Sequence, residues 1–489
     1  MRKFDVCVIG SGMAGLTAAC LLAKDGVKVG VLEQNWLPGG CVSSYSRKGF
    51  VFESGATTLV GLDQHMPLRF LLEETGININ PLHLKLPMQV WLPDGTLVNR
   101  YEPLEKWIAE AERVFGKQSQ RAFWEFCYKV SEFVWETSLK QTAFPPSNAS
   151  DLLFAMGNAS LKQFKFARYA LTSMKSLLKS FKLDKHKEFV RFVNEQLMIT
   201  AQNRMEEVNV LFGATALCYT NYGNYYMNGG LINLINPLVD FIKVNGGEVL
   251  LRTGVESIER ENGHYTIQAK HKTEKEEFSC GYLISAIPIN NTLEVFRSKP
   301  RKVFEEKQMG SERLNSAFQL GIGFNTDKTF DAIHHQIHLK TPLAECGTDS
   351  IFLSLNHPSD TSRTEATGQC VASVSTHLHD PERNYIKDIE AVESAIVDKL
   401  ESLGFLTRKD IVYQHSATPK TWKKWTGRAF GFVGGYPQFM KIKPWQMLDA
   451  RLDGDKAYIC GDTTYPGQGI PGATLSGIIA YEKMKRDHF

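Results

Sequence analysis

A strand, a glycine turn and a helix at the start of the chain constrain everything that follows. Phe4 to Ile9 is a short apolar run that reads as a buried β-strand. Gly10-Ser11-Gly12-Met13-Ala14-Gly15 then turns the chain, and Leu16 to Lys24 continues as a helix. Such a unit is built to hold a dinucleotide. Gly10 permits the tight turn, Gly12 lets the backbone approach a pyrophosphate, and Gly15 with Ala19 keeps the helix close to the strand. The helix N-terminus, entered through Met13 and Ala14, then faces the phosphates. Glu33, followed by Gln34, closes a second strand over Lys28 to Leu32, roughly 20 residues on, where a ribose hydroxyl needs an acceptor. A glycine fingerprint alone is a weak signal. The strand before it, the helix after it and the acid at that distance make it a specific one.

Two further stretches carry related features. Pro38-Gly39-Gly40-Cys41 follows Glu33 closely, and Gly49-Phe50-Val51-Phe52-Glu53-Ser54-Gly55-Ala56 comes soon after. Near the C-terminus, Ala457 to Cys460 reads as a buried strand ending in Gly461-Asp462. It is followed by Pro466-Gly467-Gln468-Gly469-Ile470-Pro471-Gly472 and a helix from Ala473 to Met484. Together these motifs resemble the FAD-dependent carotenoid desaturases and the carotenoid cis-trans isomerases and retinol saturases related to them. The wording Pro466 to Gly469 is closer to the isomerases, and Ile470 to Gly477 is closer to the desaturases. Those proteins carry arginine or serine after the paired glycines, where this chain has Cys41.

The resemblance implies an α/β fold: a Rossmann-type, glutathione-reductase-like FAD-binding domain with an inserted α+β substrate domain. On that pattern residues 1–80, 215–290 and 441–489 form the cofactor domain, and 81–214 with 291–440 the substrate domain. It also implies cofactor contacts at Gly39, Gly40, Cys41, Gly461, Gly469 and Ile470. Val255 would lie on a strand near the adenine, and Ala286 would end the strand that completes the parallel sheet. Asp462 would accept a hydrogen bond from a ribityl or phosphate-side hydroxyl. The last helix would point its N-terminus at the flavin edge where negative charge accumulates on reduction.

Size and charge exclude several other classes. A chain of 489 residues can bury more than one core. With 56 basic and 53 acidic residues it gives no reason to expect nucleic acid. Its nine cysteines are odd in number, scattered and never spaced as CxxC, which points to reduced thiols in a cytoplasmic protein. The apolar run Val6 to Leu22 is cut by the three glycines of the phosphate loop, so it is not a signal peptide. No uninterrupted apolar run reaches the roughly 18 residues of a membrane span.

Between the motifs, Gln89 to Leu92 and Thr96 to Asn99 read as a hairpin turning at Asp94-Gly95. Leu104 to Thr137 reads as helical and is rich in aromatics, among them Trp107, Phe115, Phe123, Trp124, Phe133 and Trp135. Such a stripe is core more often than it is a ligand wall. Leu152 to Leu183 has no acidic residue. Inside it Leu161, Phe164, Ala167, Leu171, Met174, Leu178 and Phe181 recur at steps of three and four, flanked by Lys162, Lys165, Arg168, Lys175, Lys179 and Lys182. That pattern suits a basic amphipathic helix on a membrane surface, and equally a packed lid with solvated lysines. Between 291 and 440 several β-runs suggest an antiparallel sheet. His334, His335, His338, His377 and His379 lie there with no acid or cysteine that completes a metal set, so they read as core or solvated side chains.

No Ser-His-Asp set, carboxylate pair or reactive-cysteine motif is visible. The resemblance therefore sets the functional expectation: an FAD-dependent oxidoreductase that desaturates or saturates a long polyene or isoprenoid. Redox-neutral cis-trans isomerisation, an amine-oxidase-like reaction on a soluble substrate and a non-enzymatic flavin-bound scaffold remain alternatives. With one GxGxxG only, quinone, oxygen or another acceptor is expected in place of NAD(P)H. Tyr465 and Gln468 are expected near the flavin face, there or simply as loop structure. The expected partners are an apolar small molecule and, through 152–183, a membrane surface touched peripherally.

Overall fold

The computed structural model describes residues 1–297, 306–454 and 456–489, and the side chains of Leu161, Lys162 and Phe164 lie outside the described part. Residues 298–305, within the excursion expected over 291–440, are outside it as well.

Its first sheet is built on parallel strands. Glu248–Leu250, Val29–Leu32, Arg2–Ile9, the end of Glu274–Ser285 and Ala457–Ile459 lie side by side in that order. Strands buried on both faces need continuous apolar runs, and Val29–Leu32 and Ala457–Ile459 are buried at every position. Helix Met13–Lys24 packs against both Ile232–Val244 and Ile470–His488, and the three share one core with the sheet. An antiparallel meander, Thr253–Glu261 and His264–His271, leads into Glu274–Ser285. Strand ends at Ile9, Leu32, Ser285 and Ile459 thereby meet at one edge of the sheet.

The second sheet runs, in order, Ile411–Ala417, Asn315–Asn325, Gln369–His379, Thr348–Leu355, His334–Leu343, Met88–Trp91 and Leu97–Arg100. The expected hairpin turns at Gly95 (φ +94°) and joins the sheet edge by parallel pairing of Met88–Trp91 with His334–Leu343. The segment read as helical over 104–137 forms two helices, Leu104–Phe115 and Gln120–Ser138, separated where Gly116 and Ser119 take φ values of +82° and +61°. Trp107, Phe115, Phe123 and Trp124 are core, with the Trp107 and Trp124 rings edge to face at 4.9 Å. Phe133 and Trp135, from the same stripe, instead face a cavity.

The segment expected as one amphipathic face from Leu161 to Phe181 is broken. It comprises Leu161–Ala167, a turn at Arg168–Leu171 and Met174–Ser180, and a further short helix, Ala149–Gly157, precedes it. Ser160 caps Leu161–Ala167 by accepting from Gln163 N–H; Thr172 and Ser173 are extended and Ser173 accepts from Ser176 N–H, so a new helix starts there and one helix does not carry the whole stripe. Met174 and Leu178 enter the core while Leu171 is 54% exposed.

A buried ionic cluster ties Ala149–Gly157 to the C-terminal helix. Asp151 accepts from Arg451 Nη1 at 2.5 Å and lies 3.3 Å from Lys483 Nζ, while Arg451 Nε also donates to Asp487 at 2.6 Å. Asp151 and Lys483 are fully buried. Removing one member leaves its partners' charge under-compensated. Asp151→Ala is expected to lower stability by about 3–5 kcal/mol, read from urea unfolding. A loss under about 1 kcal/mol would mean that Asp449 and Asp487 suffice to neutralise both cations.

Candidate functional site

A cavity of about 1390 Å³ opens where the parallel strands end and continues between the helical layer and the second sheet. At the strand ends its wall is backbone. Ser11 O accepts from Gly39 N at 2.9 Å, and Gly12 bridges to Gly39, so the two glycine segments form one surface. A Cβ on Gly12 would meet nothing within 4 Å, whereas one on Gly15 would lie 2.3 Å from Gly10 O and 2.8 Å from Ala286 Cβ. Gly12 therefore faces open space, and Gly15 is the packing glycine that the spacing implies; it does not line the cavity.

Helix Met13–Lys24 has no side-chain cap and no acid in its first turn. Leu16 N is the first to bond back, to Gly12 O at 3.0 Å, so the N–H groups ahead of it have no carbonyl within the helix. Their positive end is available to an anion. Glu33, 7% exposed, fixes the turn: one carboxylate oxygen accepts from Ser11 N at 2.9 Å and Ser11 Oγ at 2.8 Å, and the other from Asn35 N at 2.8 Å. A carboxylate oxygen can accept more than one hydrogen, so capacity remains for ribose hydroxyls.

The other expected residues converge here. Gly10, Met13, Ala14, Gln34, Gly39, Gly40, Cys41, Val255, Ala286, Gly461, Asp462, Gly469 and Ile470 all line the cavity. Ala286 N donates to Ile9 O at 2.8 Å, extending the parallel pairing to the cavity edge. Helix Ile470–His488 begins after Gly469, whose φ of +84° suits glycine. Tyr465 and Gln468 also line the cavity, and Gln468 Nε2 donates to Ile199 O at 3.2 Å.

An anionic dinucleotide fits this surface: glycines whose missing side chains leave room, a helix N-terminus without an acid, and a buried carboxylate at the right strand end. A match to the flavin containing amine oxidoreductase model spans residues 13–482. The chain belongs to that family. Its cofactor is FAD. Prolycopene isomerase of Daucus carota is 24% identical over 99% of this chain and 80% of its own. The 4,4'-diapophytoene desaturase of Methylomonas sp. is 23% identical over 99% of this chain and 95% of its own. Among solved structures, a triple mutant of putrescine oxidase superposes with a TM-score of 0.67 at 13% identity over 99% of each chain, a likeness of fold. As a member of this family the chain is a flavin-dependent oxidoreductase.

The rest of the wall was not foreseen residue by residue. Asp462, expected to accept from a ribityl or phosphate-side hydroxyl, also accepts from Arg428 Nη2 at 2.8 Å, a partner the sequence did not indicate. His377 faces the cavity, with Gln202 Nε2 3.1 Å from its Nε2, and burial lowers its pKa to about 4, so it stays neutral. His379, two residues on, bonds Asn315 Oδ1 at 3.1 Å outside the cavity lining. His334 bonds Thr58 Oγ1 at 3.0 Å and Ser354 Oγ at 2.8 Å, and Ser354 donates to Thr57 at 2.8 Å, which fixes the two threonine hydroxyls on the wall. Tyr45 hydroxyl lies 2.8 Å from His415 Nε2. These pairs join residues far apart in the chain, from loops, helix ends and strands, so no local sequence pattern announces them. Among the described residues no group of three or more His, Cys, Asp or Glu could hold a metal, and all nine cysteines are unpaired.

Proposed function

We propose that the protein binds a long polyene or isoprenoid beside FAD and changes its unsaturation. The observation that carries the reading is the cavity wall between residues 133 and 219. It comprises Phe133, Val134, Trp135, Phe144, Ala155, Ala167, Ala170, Ile199, Leu211, Phe212, Ala216 and Tyr219 with several neutral polar side chains and, among the described residues, no charged one. The only carboxylates in the whole described lining are Glu33, Glu294 and Asp462. All three follow or face the strand ends at the glycine cradle. An alkylammonium in the apolar part would be desolvated without a counter-ion, whereas an uncharged chain gains by leaving water there.

FAD, when bound, supplies hydride or electron exchange with carbon. The chain's own part is to hold the substrate against that cofactor, exclude water, and keep the facing His377 neutral, so that it adds no positive charge beside the substrate. The chemistry of the two relatives supports both isomerisation and desaturation as outcomes; desaturation would be completed by quinone or oxygen as acceptor, whereas saturation would need an electron donor to reduce the flavin again. Membership of the strands in two sheets supports 1–80, 215–290 and 441–489 as the cofactor unit and 81–214 with 291–440 as the substrate unit.

A membrane surface suits delivery of such a substrate. Leu152, Leu153, Met156 and Leu171 are 53%, 70%, 73% and 54% exposed, on the short helix and the turn that also give Ala155 and Ala170 to the cavity wall. Lys165, Arg168, Lys175 and Lys179 add positive charge nearby in the chain. No helix among the described residues is long and apolar enough to cross a membrane.

The test is conversion of mixed polyenes carried in anionic liposomes, followed by chromatography. A longer-wavelength product means desaturation, a shorter-wavelength one saturation, and altered geometry at constant mass isomerisation. Leu153→Glu with Met156→Glu should weaken liposome sedimentation and slow conversion together. Polyenes left untouched under oxidising and reducing conditions, with amines yielding peroxide, would overturn the substrate reading and leave FAD in place.

A further inference from the structure

The strand-end part of the cavity has to hold a pyrophosphate carrying two negative charges, yet the glycine segments that form it, residues 9–15 and 39–41, contain no lysine or arginine. Within the described lining the cations are Arg47 and Arg428 alone. Arg47 is exposed, on the hairpin Ser44–Arg47 and Phe50–Glu53. Arg428 is enclosed: its side chain is 13% exposed, and its guanidinium lies 5.1 Å from the Phe432 ring.

The bonding of Arg428 is incomplete. Nη2 donates to Asp462 Oδ2 at 2.8 Å, while Nη1 is buried with no partner. A guanidinium has five N–H donors arranged as a fork that matches phosphate oxygens. Leaving one of its nitrogens unpaired in a protein interior is costly unless something else occupies that side. Its field reaches the glycine segments. Burial raises the Cys41 thiol pKa, and Arg428 is the group that opposes the rise. Burial likewise disfavours the charged guanidinium, but Asp462 and then Cys41 outweigh it and raise the Arg428 pKa. Arg428 therefore stays charged beside Cys41, the residue next to Gly40, which itself packs against Gly12.

We propose that Arg428, reaching in from the far end of the chain, is the cation that offsets the FAD pyrophosphate, with Asp462 as the strut that aims it. It is a cofactor-positioning residue supplied by a loop rather than by the fingerprint. The inference rests on the FAD assignment and is independent of the substrate.

A merely structural Arg428 would latch residues 427–432 to the Gly461-Asp462 strand end and affect every flavin alike. A phosphate-directed one would discriminate between flavins with and without phosphate. Apoprotein is prepared by removing the flavin, and FAD and riboflavin are titrated by fluorescence. Arg428→Gln is expected to weaken FAD at least tenfold while riboflavin changes by less than about threefold, a factor that is small on the affinity scale. Cys41→Arg in that background, placing a guanidinium beside the same glycines, is expected to regain most of the FAD loss. Equal weakening of both flavins, or an unchanged FAD affinity, would overturn the proposal. If Arg428→Gln lacks a cooperative melting transition, the double variant Arg428→Met with Asp462→Asn removes both charges at once. The ratio of FAD to riboflavin affinity is then read against Asp462→Asn alone. A ratio at least tenfold lower in the double variant supports the proposal, and an unchanged ratio overturns it.

Discussion

Gly12→Val is expected to give a folded, colourless protein. The reason is the asymmetry between two glycines three residues apart. Gly12 has φ −67° and ψ 171°, ordinary extended backbone that valine adopts without strain. Its missing Cβ points into space with no protein atom within 4 Å. A branched side chain there disturbs nothing in the protein and occupies only the volume that the pyrophosphate needs. Placing two methyl groups against the backbone approach should weaken FAD by on the order of a hundredfold or more, about 2.8 kcal/mol, so that flavin is lost on purification. Gly15→Val is the control with the opposite signature. Its Cβ would collide with Gly10 O and Ala286 Cβ, so that variant should lose stability along with colour. The two measurements are yellow absorbance after gel filtration and the midpoint of thermal unfolding. Gly12→Val protein that stayed yellow would place the cofactor elsewhere, whatever the family.

The contrast between those glycines also explains what could be read from the sequence. Gly10, Gly12, Gly15 and Glu33 are determined by backbone geometry within one strand-turn-helix unit, so their roles follow from spacing alone. Gly469 and Ile470 came only through the family resemblance, and the helix expected from Ala473 begins three residues earlier, at Ile470. Asp462 was found as a site position, but its partner Arg428 lies 34 residues away on a loop, and no local pattern couples them. His377 and Gln202 are 175 residues apart and meet only because the second sheet packs beneath the helical layer. Residues 161–181 show the opposite failure. Steps of three and four gave a continuous apolar stripe, yet Ser173, which starts a separate helix within the segment, carries its capping meaning only through local backbone bonds. Periodicity reports which residues prefer burial; it does not report whether one helix carries them all.

Ala216→Phe is expected to abolish polyene conversion while leaving flavin content unchanged. Ala216 sits on helix Val210–Cys218, 8% exposed, with its small side chain on the cavity wall beside Phe212, Thr215 and Tyr219. The helix packs on Gln120–Ser138 and Lys187–Ala201, so it cannot easily retreat from a larger residue. A phenyl ring therefore projects into the cavity. None of the glycines or strand ends expected to face FAD belongs to this helix, so the cofactor should remain bound in full. A chain that must thread past this point loses its path, and at least a tenfold fall in conversion is expected, equivalent to about 1.4 kcal/mol of lost transition-state binding. Size makes the substitution diagnostic. Were the true substrate a short amine instead, it would still fit beside the ring and its turnover would change little. A rigid polyene could not, and shorter isoprenoids should recover activity in order of decreasing length. If conversion of long and short substrates fell by the same factor at full flavin occupancy, the helical layer would not be the substrate wall, and an uncharged lining there would say nothing about what the enzyme accepts.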